Sequence, residues 1–226
     1  MSSYKIFETH AHYDDEAFDE DRDVLLGSMD ENGIQEVVNV CASIDSLEKT
    51  KALMEKYSFV YGAFGIHPDD AELVTEEVLD KIRECCGLEK AVAVGEIGLD
   101  YYWHKEAGEH ELQKKVFRQQ MEIARELHMP FMVHSREAAA DTLDLVKDCV
   151  NRGMYGGIIH CFSYGKEMAR EYLNMGLYLG IGGVVTFNNA RKVKEVVEYA
   201  PLEQIVLETD SPYLSPVPYR GKRNCS

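Results

Sequence analysis

Residues 91–97 read Ala-Val-Ala-Val-Gly-Glu-Ile, a run of small and β-branched apolar residues interrupted by one carboxylate, Glu96. A strand with one wet face alternates apolar and polar residues. This one does not, so both of its faces are covered, as in a parallel sheet. Comparable runs recur on either side and predict strands over Tyr4–His10, Gln35–Cys41, Phe59–His67, Ala91–Ile97, Pro130–His134, Gly156–Cys161, Leu177–Gly182 and Gln204–Glu208. Between them, helical patterns fall over Asp21–Asn32, Ser46–Tyr57, Glu76–Cys86, Glu109–His128, Arg136–Arg152, Lys166–Met175 and Ala190–Tyr199. The alternation implies an α/β fold: right-handed βαβ units closing into a TIM-type (β/α)8 barrel, one domain over residues 1–226. Only seven helical patterns are legible. Prolines at 212, 216 and 218 break up the segment after Asp210, so the last barrel helix is expected to be missing.

The chain carries 40 acidic and 24 basic residues, a formal net charge of −16. That argues against a surface that coats itself in nucleic acid by charge alone. It leaves room for a local basic patch, or for a site whose metal brings its own positive charge. No apolar run approaches the roughly 18 residues of a membrane span, and Met1–Lys5 shows no signal-peptide pattern. No membrane partner is expected, and the cytoplasm is the expected location. The six cysteines form no C-x-x-C pair, which favours reduced, idle thiols over a zinc ribbon or a disulfide frame.

Polar residues close several of these strands. Glu96 closes Ala-Val-Ala-Val-Gly-Glu, His134 closes Pro-Phe-Met-Val-His, His160 closes Gly-Ile-Ile-His, and Asp210 comes after Ile-Val-Leu-Glu-Thr. His67 ends the third strand. His10 and His12 end the first, two apart and so on one face, about 6.5–7 Å from each other. Five of the eight histidines occupy such ends, and the C-terminal strand ends are where barrel enzymes build their sites. Four histidines and two carboxylates can hold two divalent ions if one carboxylate bridges, and Glu96 has the longer arm. Such a pair activates a shared water and braces the leaving oxygen, and Asp210 is placed to take the water's proton. Mixed nitrogen and oxygen donors suit zinc, manganese or iron better than an all-oxygen magnesium cage.

The same blocks carry a resemblance. Glu-Thr-His-Ala-His at 8–12, Gly-Ile-His-Pro at 65–68 and Gly-Glu-Ile-Gly-Leu-Asp-Tyr-Tyr at 95–102 are succeeded by Val-His-Ser-Arg at 133–136 and His-Cys-Phe-Ser at 160–163. Glu-Thr-Asp-Ser-Pro-Tyr-Leu at 208–214 and Arg-Gly-Lys-Arg-Asn at 220–224 complete the series. In this order the chain resembles the TatD family of metal-dependent deoxyribonucleases, within the amidohydrolase-like barrels. The resemblance implies one divalent ion (Mg, Mn or Zn) on His10, His12, Glu96 and Asp210, and a second on Glu96, His134 and His160. It implies that His67 lines the pocket. It also implies DNA as substrate, with phosphodiester bonds hydrolysed from an end; some relatives look more like tRNA-linked ester hydrolases. Two departures stand out: Glu8 replaces the family's usual Asp, and the family normally continues for some forty residues past the Arg-Gly-Lys-Arg-Asn block.

Other segments divide between functional and plain readings. Seven acids lie in Tyr13–Asp23, where they suit a helix N-terminus or repel nucleic acid. Arg136 is placed to bind a phosphate, as is Arg220, unless the last residues form a solvated tail. Tyr101, Tyr102 and Trp103 stack on a base or pack under a loop. Two alternatives to a deoxyribonuclease remain: a hydrolase of smaller esters or amides, suggested by the acidity, and a truncated, non-catalytic relative. A monomer is expected, with reduced stability or self-association through the uncovered barrel face.

Overall fold

The computed structural model describes residues 5–154 and 156–226. Eight strands form one parallel sheet in sequence order: β1 Ile6–Ala11, β2 Ile34–Val40, β3 Val60–Ala63, β4 Ala91–Asp100, β5 Phe131–Arg136, β6 Gly157–Ile159, β7 Tyr178–Ile181 and β8 Ile205–Leu207. Seven helices cross between them: α1 Arg22–Gly27, α2 Ile44–Lys56, α3 Glu76–Cys86, α4 Ala107–Glu126, α5 Ala139–Asn151, α6 Lys166–Asn174 and α7 Arg191–Tyr199. This is the expected barrel, nearly closed. Tyr4, expected to begin the first strand, lies outside the described residues. Among the described residues no helix is long and apolar enough to cross a membrane.

Covering both faces of the sheet gives two buried clusters. Val37, Leu47, Leu79, Phe117 and Val146 belong to the larger one, between strands and helices. Val38, Val40, Ala63, Ala93 and Met132 form the smaller one on the other face, the barrel interior. Val37 and Val38 fall into different clusters because neighbouring strand residues point to opposite faces.

Several elements end differently from expectation, for local reasons. β3 stops at Ala63, and the Gln120 side chain takes over beyond it: its Oε1 accepts from Ile66 N at 2.8 Å, and its Nε2 donates to Ile66 O at 3.0 Å. β4 runs on to Asp100 because Gly98, at φ +149°, lets His134 O approach where a Cβ would stand at 1.9 Å. Arg136 ends β5 rather than starting a helix, and α5 begins only at Ala139. α1 breaks off at Gly27, and turns lead to Gly33 at φ +85°.

The seam between β8 and β1 carries no ladder. A single bridge joins Ala11 to Ser211 at its upper end. Below, Asp210 N donates to His10 O at 2.9 Å, and Thr9 Oγ1 donates to Leu207 O at 2.8 Å. Glu8 supplies a further tie: its Oε1 accepts from His10 N at 3.1 Å and from Thr209 N at 3.0 Å. Among the described residues no helix comes after β8. Phe7 and Leu207, on the outer face of the seam, are 45% and 60% exposed.

Candidate metal centre

The pleat of β1 aims Glu8, His10 and His12 to one face. Beyond the strand, His12 Nδ1 stands 2.8 Å from Val40 O. A carbonyl can only accept, so Nδ1 carries the proton and Nε2 is free as a donor atom. That atom lies 3.2 Å from His10 Nε2, 3.3 Å from Asp210 Oδ1 and 3.6 Å from Glu96 Oε2. His10 Nε2 is 3.4 Å from Glu96 Oε2 and 3.8 Å from Asp210 Oδ1. Donors at about 2.0–2.1 Å from an ion at tetrahedral angles stand about 3.3 Å apart, a value these spacings bracket. The residues fit a divalent ion.

The other Glu96 oxygen faces the opposite way. Oε1 is 2.9 Å from His134 Nδ1, 3.7 Å from His160 Nε2 and 3.9 Å from His67 Nε2. His160 Nε2 is also 3.7 Å from Asp210 Oδ1. His67, Glu96 and His134 make one candidate ligand group, and His10, His160 and Asp210 another. His67 therefore stands within ligating reach, and His160 leans toward Asp210 as closely as toward Glu96.

Two further carboxylates orient these rings. Glu208 Oε2 lies 3.2 Å from His160 Nδ1, and its Oε1 accepts from Cys161 N at 2.7 Å. Asp100 Oδ2 lies 3.2 Å from His134 Nε2, and its Oδ1 accepts from Tyr102 N and Trp103 N at 2.9 and 3.0 Å. The sequence reading singles out neither. The signal for Glu208 is its place two residues before Asp210, hence on the same face of an extended segment. Asp100 has no such signal, because the expected β4 stops short of it.

Charge dominates this cluster. Burial alone pushes the His12 imidazolium down, but Asp210, Glu96 and Asp14 outweigh it and lift it to about 9. At His134, Asp100 and Glu96 overcome the same burial, again reaching about 9. His160 rises to about 10 against burial, chiefly through Glu208 and Glu96. Burial would raise Glu96, yet His160, His10 and His134 hold it well below the usual carboxylate range. His10 goes the other way, lowered by burial and by His160.

The cluster floors a cleft of about 980 Å³. His67, Arg136 and Trp103 line it, as do Asp14, Asp15 and Glu16. Arg220 is not among the residues lining the cleft; its guanidinium lies 4.2 Å from the centre of the Phe187 ring. Arg223 pairs with both oxygens of Asp21. The last residues are not a free tail. Asn224 is buried, and its Nδ2 donates to Thr209 O at 2.9 Å. The acids of residues 13–23 are mostly engaged locally: Asp14 with Asn39, Asp15 capping Ala17, Asp19 with Arg22, and Asp23 with Lys56 and Tyr57. All six cysteines are free, four of them buried.

Similar proteins are known by sequence and by structure. A family model described as TatD related DNase matches residues 7–226. The metal-dependent hydrolase YabD of Bacillus subtilis, itself uncharacterized, is 41% identical over 97% of this chain and 85% of its own length. A protein of Cronobacter sakazakii named 3'-5' ssDNA/RNA exonuclease TatD is 32% identical over 88% of this chain and 75% of its own. The crystal structure of YJJV, a TatD homolog from Escherichia coli, superposes with a TM-score of 0.89 at 27% identity, covering 97% of this chain and 84% of that one.

Proposed function

The chain belongs to the TatD family of metal-dependent hydrolases, and from that premise we propose that its strand-end site hydrolyses phosphodiester bonds of DNA. The observation that carries the reading is the division of Glu96, one oxygen toward His10 and His12 and the other toward His134 and His160. A carboxylate so shared suits two divalent ions, the first on His10, His12, Glu96 and Asp210, the second on Glu96, His134 and His160 with His67 in reach. Ions held there supply Lewis acidity, which makes water a competent nucleophile near neutral pH and offsets charge on a phosphate oxygen.

The chain's own groups do the rest. Asp210, held below the usual carboxylate range in the metal-free site because the charge of His160 and the bond from His12 outweigh its burial, is the group that takes the proton of the attacking water. Asp100 fixes the His134 ring by a hydrogen bond, and Glu208 stands against the His160 ring as its charge partner. Arg136, which no carboxylate pairs among the described residues, faces the cleft and receives a substrate phosphate. The Cronobacter relative's name supports a nucleic-acid substrate.

The test is metal content and activity on one preparation. Purified protein holds up to two equivalents of Mg, Mn or Zn and releases nucleotides from DNA, and chelation stops both. DNA left intact with every one of these metals sinks the reading. A second reading has its own observation: Asp15, Glu16, Asp69 and Asp70 also line the cleft and disfavour a polyanion. Faster turnover of small carboxyl esters than of phosphodiesters would select it.

A further inference from the structure

Trp103 has no structural task that its position explains. It is 64% exposed, yet it lines the cleft rather than the outer surface. Its backbone is not loose: Asp100 Oδ1 accepts from both Tyr102 N and Trp103 N, while the other oxygen of Asp100 meets His134 Nε2. The carboxylate that orients a candidate metal ligand therefore also fixes the backbone that carries the indole. Beside it, the Arg136 guanidinium lies 4.0 Å from the centre of the Tyr102 ring and 5.6 Å from that of Trp103. The aromatic contact holds this cation in place while leaving its hydrogen-bond donors unpaired by any carboxylate among the described residues.

We propose that Trp103 is a specificity residue: its exposed ring stacks on a nucleobase of the substrate while Arg136 beside it holds the attached phosphate. A flat aromatic face with a fixed cation next to it matches the two parts of a nucleotide, a π-faced base and an anionic linkage. The aromatic face offers nothing to a phosphodiester without a base. The inference rests on the nuclease reading and adds to it the means by which nucleotides are preferred over other phosphodiesters.

The experiment compares oligothymidylate with an abasic strand of equal length, with Mg, Mn or Zn present. The native protein has a lower KM for the base-bearing strand. In Trp103→Ala that preference falls about tenfold, the worth of one aromatic–base stack, and Trp103→Phe restores most of it. Trp103 is the chain's single tryptophan, so its emission is a direct second readout. A phosphorothioate oligothymidylate quenches it, and the abasic strand does not. If DNA is hydrolysed but the preference is unaltered in Trp103→Ala, or both strands quench alike, the inference is overturned while the nuclease reading stands. If neither strand is hydrolysed with any of the metals, both are overturned.

Discussion

Glu96 and His134 sit on β4 and β5, which are paired through Asp100 and Arg136, beyond both residues. Across the cleft, His10, His12 and Asp210 sit where β8 and β1 meet, and there a single bridge replaces a ladder. On the first side the ladder holds His134 directly and flanks Glu96, whose own N–H donates to Cys41 O at 2.8 Å. On the second, a few isolated bonds and one buried side chain, Glu8, do the joining. A strand pair tolerates change at a side chain but not at its backbone, whereas a side-chain clasp is vulnerable at one carboxylate.

Substitutions can probe that contrast. Glu96→Gln touches both sides, so turnover falls on the order of 10⁴-fold and metal is lost from both ligand groups. Retention of one equivalent would mean that the two sides bind independently. Gly98→Ala attacks the β4–β5 wall through its backbone, since the new Cβ meets His134 O; unfolding free energy drops by about 3 kcal/mol, read by chemical denaturation. An unchanged midpoint would refute the rigid wall. Glu208→Gln and Asp100→Asn each loosen one ring and weaken metal binding roughly 10–100-fold by metal titration. Glu8→Ala leaves the amides of His10 and Thr209 without their acceptor and costs about 1–2 kcal/mol, while Glu8→Gln, which keeps a carbonyl oxygen, costs less. If the two variants cost the same, the clasp is not a hydrogen-bonding one.

A further effect is one of pH and reaches both sides. In metal-free protein His12 and His134 keep their protons to about pH 9, whereas an unfolded histidine releases its own near 6.5. Raised folded values mean that this stabilisation is complete below pH 6.5 and is lost as pH rises through about 9. Urea midpoints measured in EDTA therefore decline across that window. A flat profile would show that these rings are neutral at pH 6.5.

The order of elements and most donor residues were legible because apolar runs and the polar residues that end them are local properties. His10, His12, Glu96, His134, His160 and Asp210 all converge as the strand ends suggested. What escaped the sequence depends on contacts across it. The extension of β4 needs the gap at Gly98, and the end of β3 needs Gln120, 54 residues from Ile66. Arg220 lies outside the cleft lining, a placement its own run of sequence does not reveal. Glu208 and Asp100 act on rings carried elsewhere in the fold; only the spacing from Asp210 hints at the first, and nothing local hints at the second.

The clasp at Glu8 spans 201 residues of sequence. His10 and His12 are therefore synthesised long before Asp210. At about 5–20 residues per second, a growing chain carries the two histidines for ten seconds or more before their carboxylate partner exists. The four-donor set cannot form on a chain that has not yet reached the eighth strand. Metal capture at that set is thus tied to completion of the barrel, and a polypeptide still short of Asp210 on the ribosome lacks the base that the proposed hydrolysis requires.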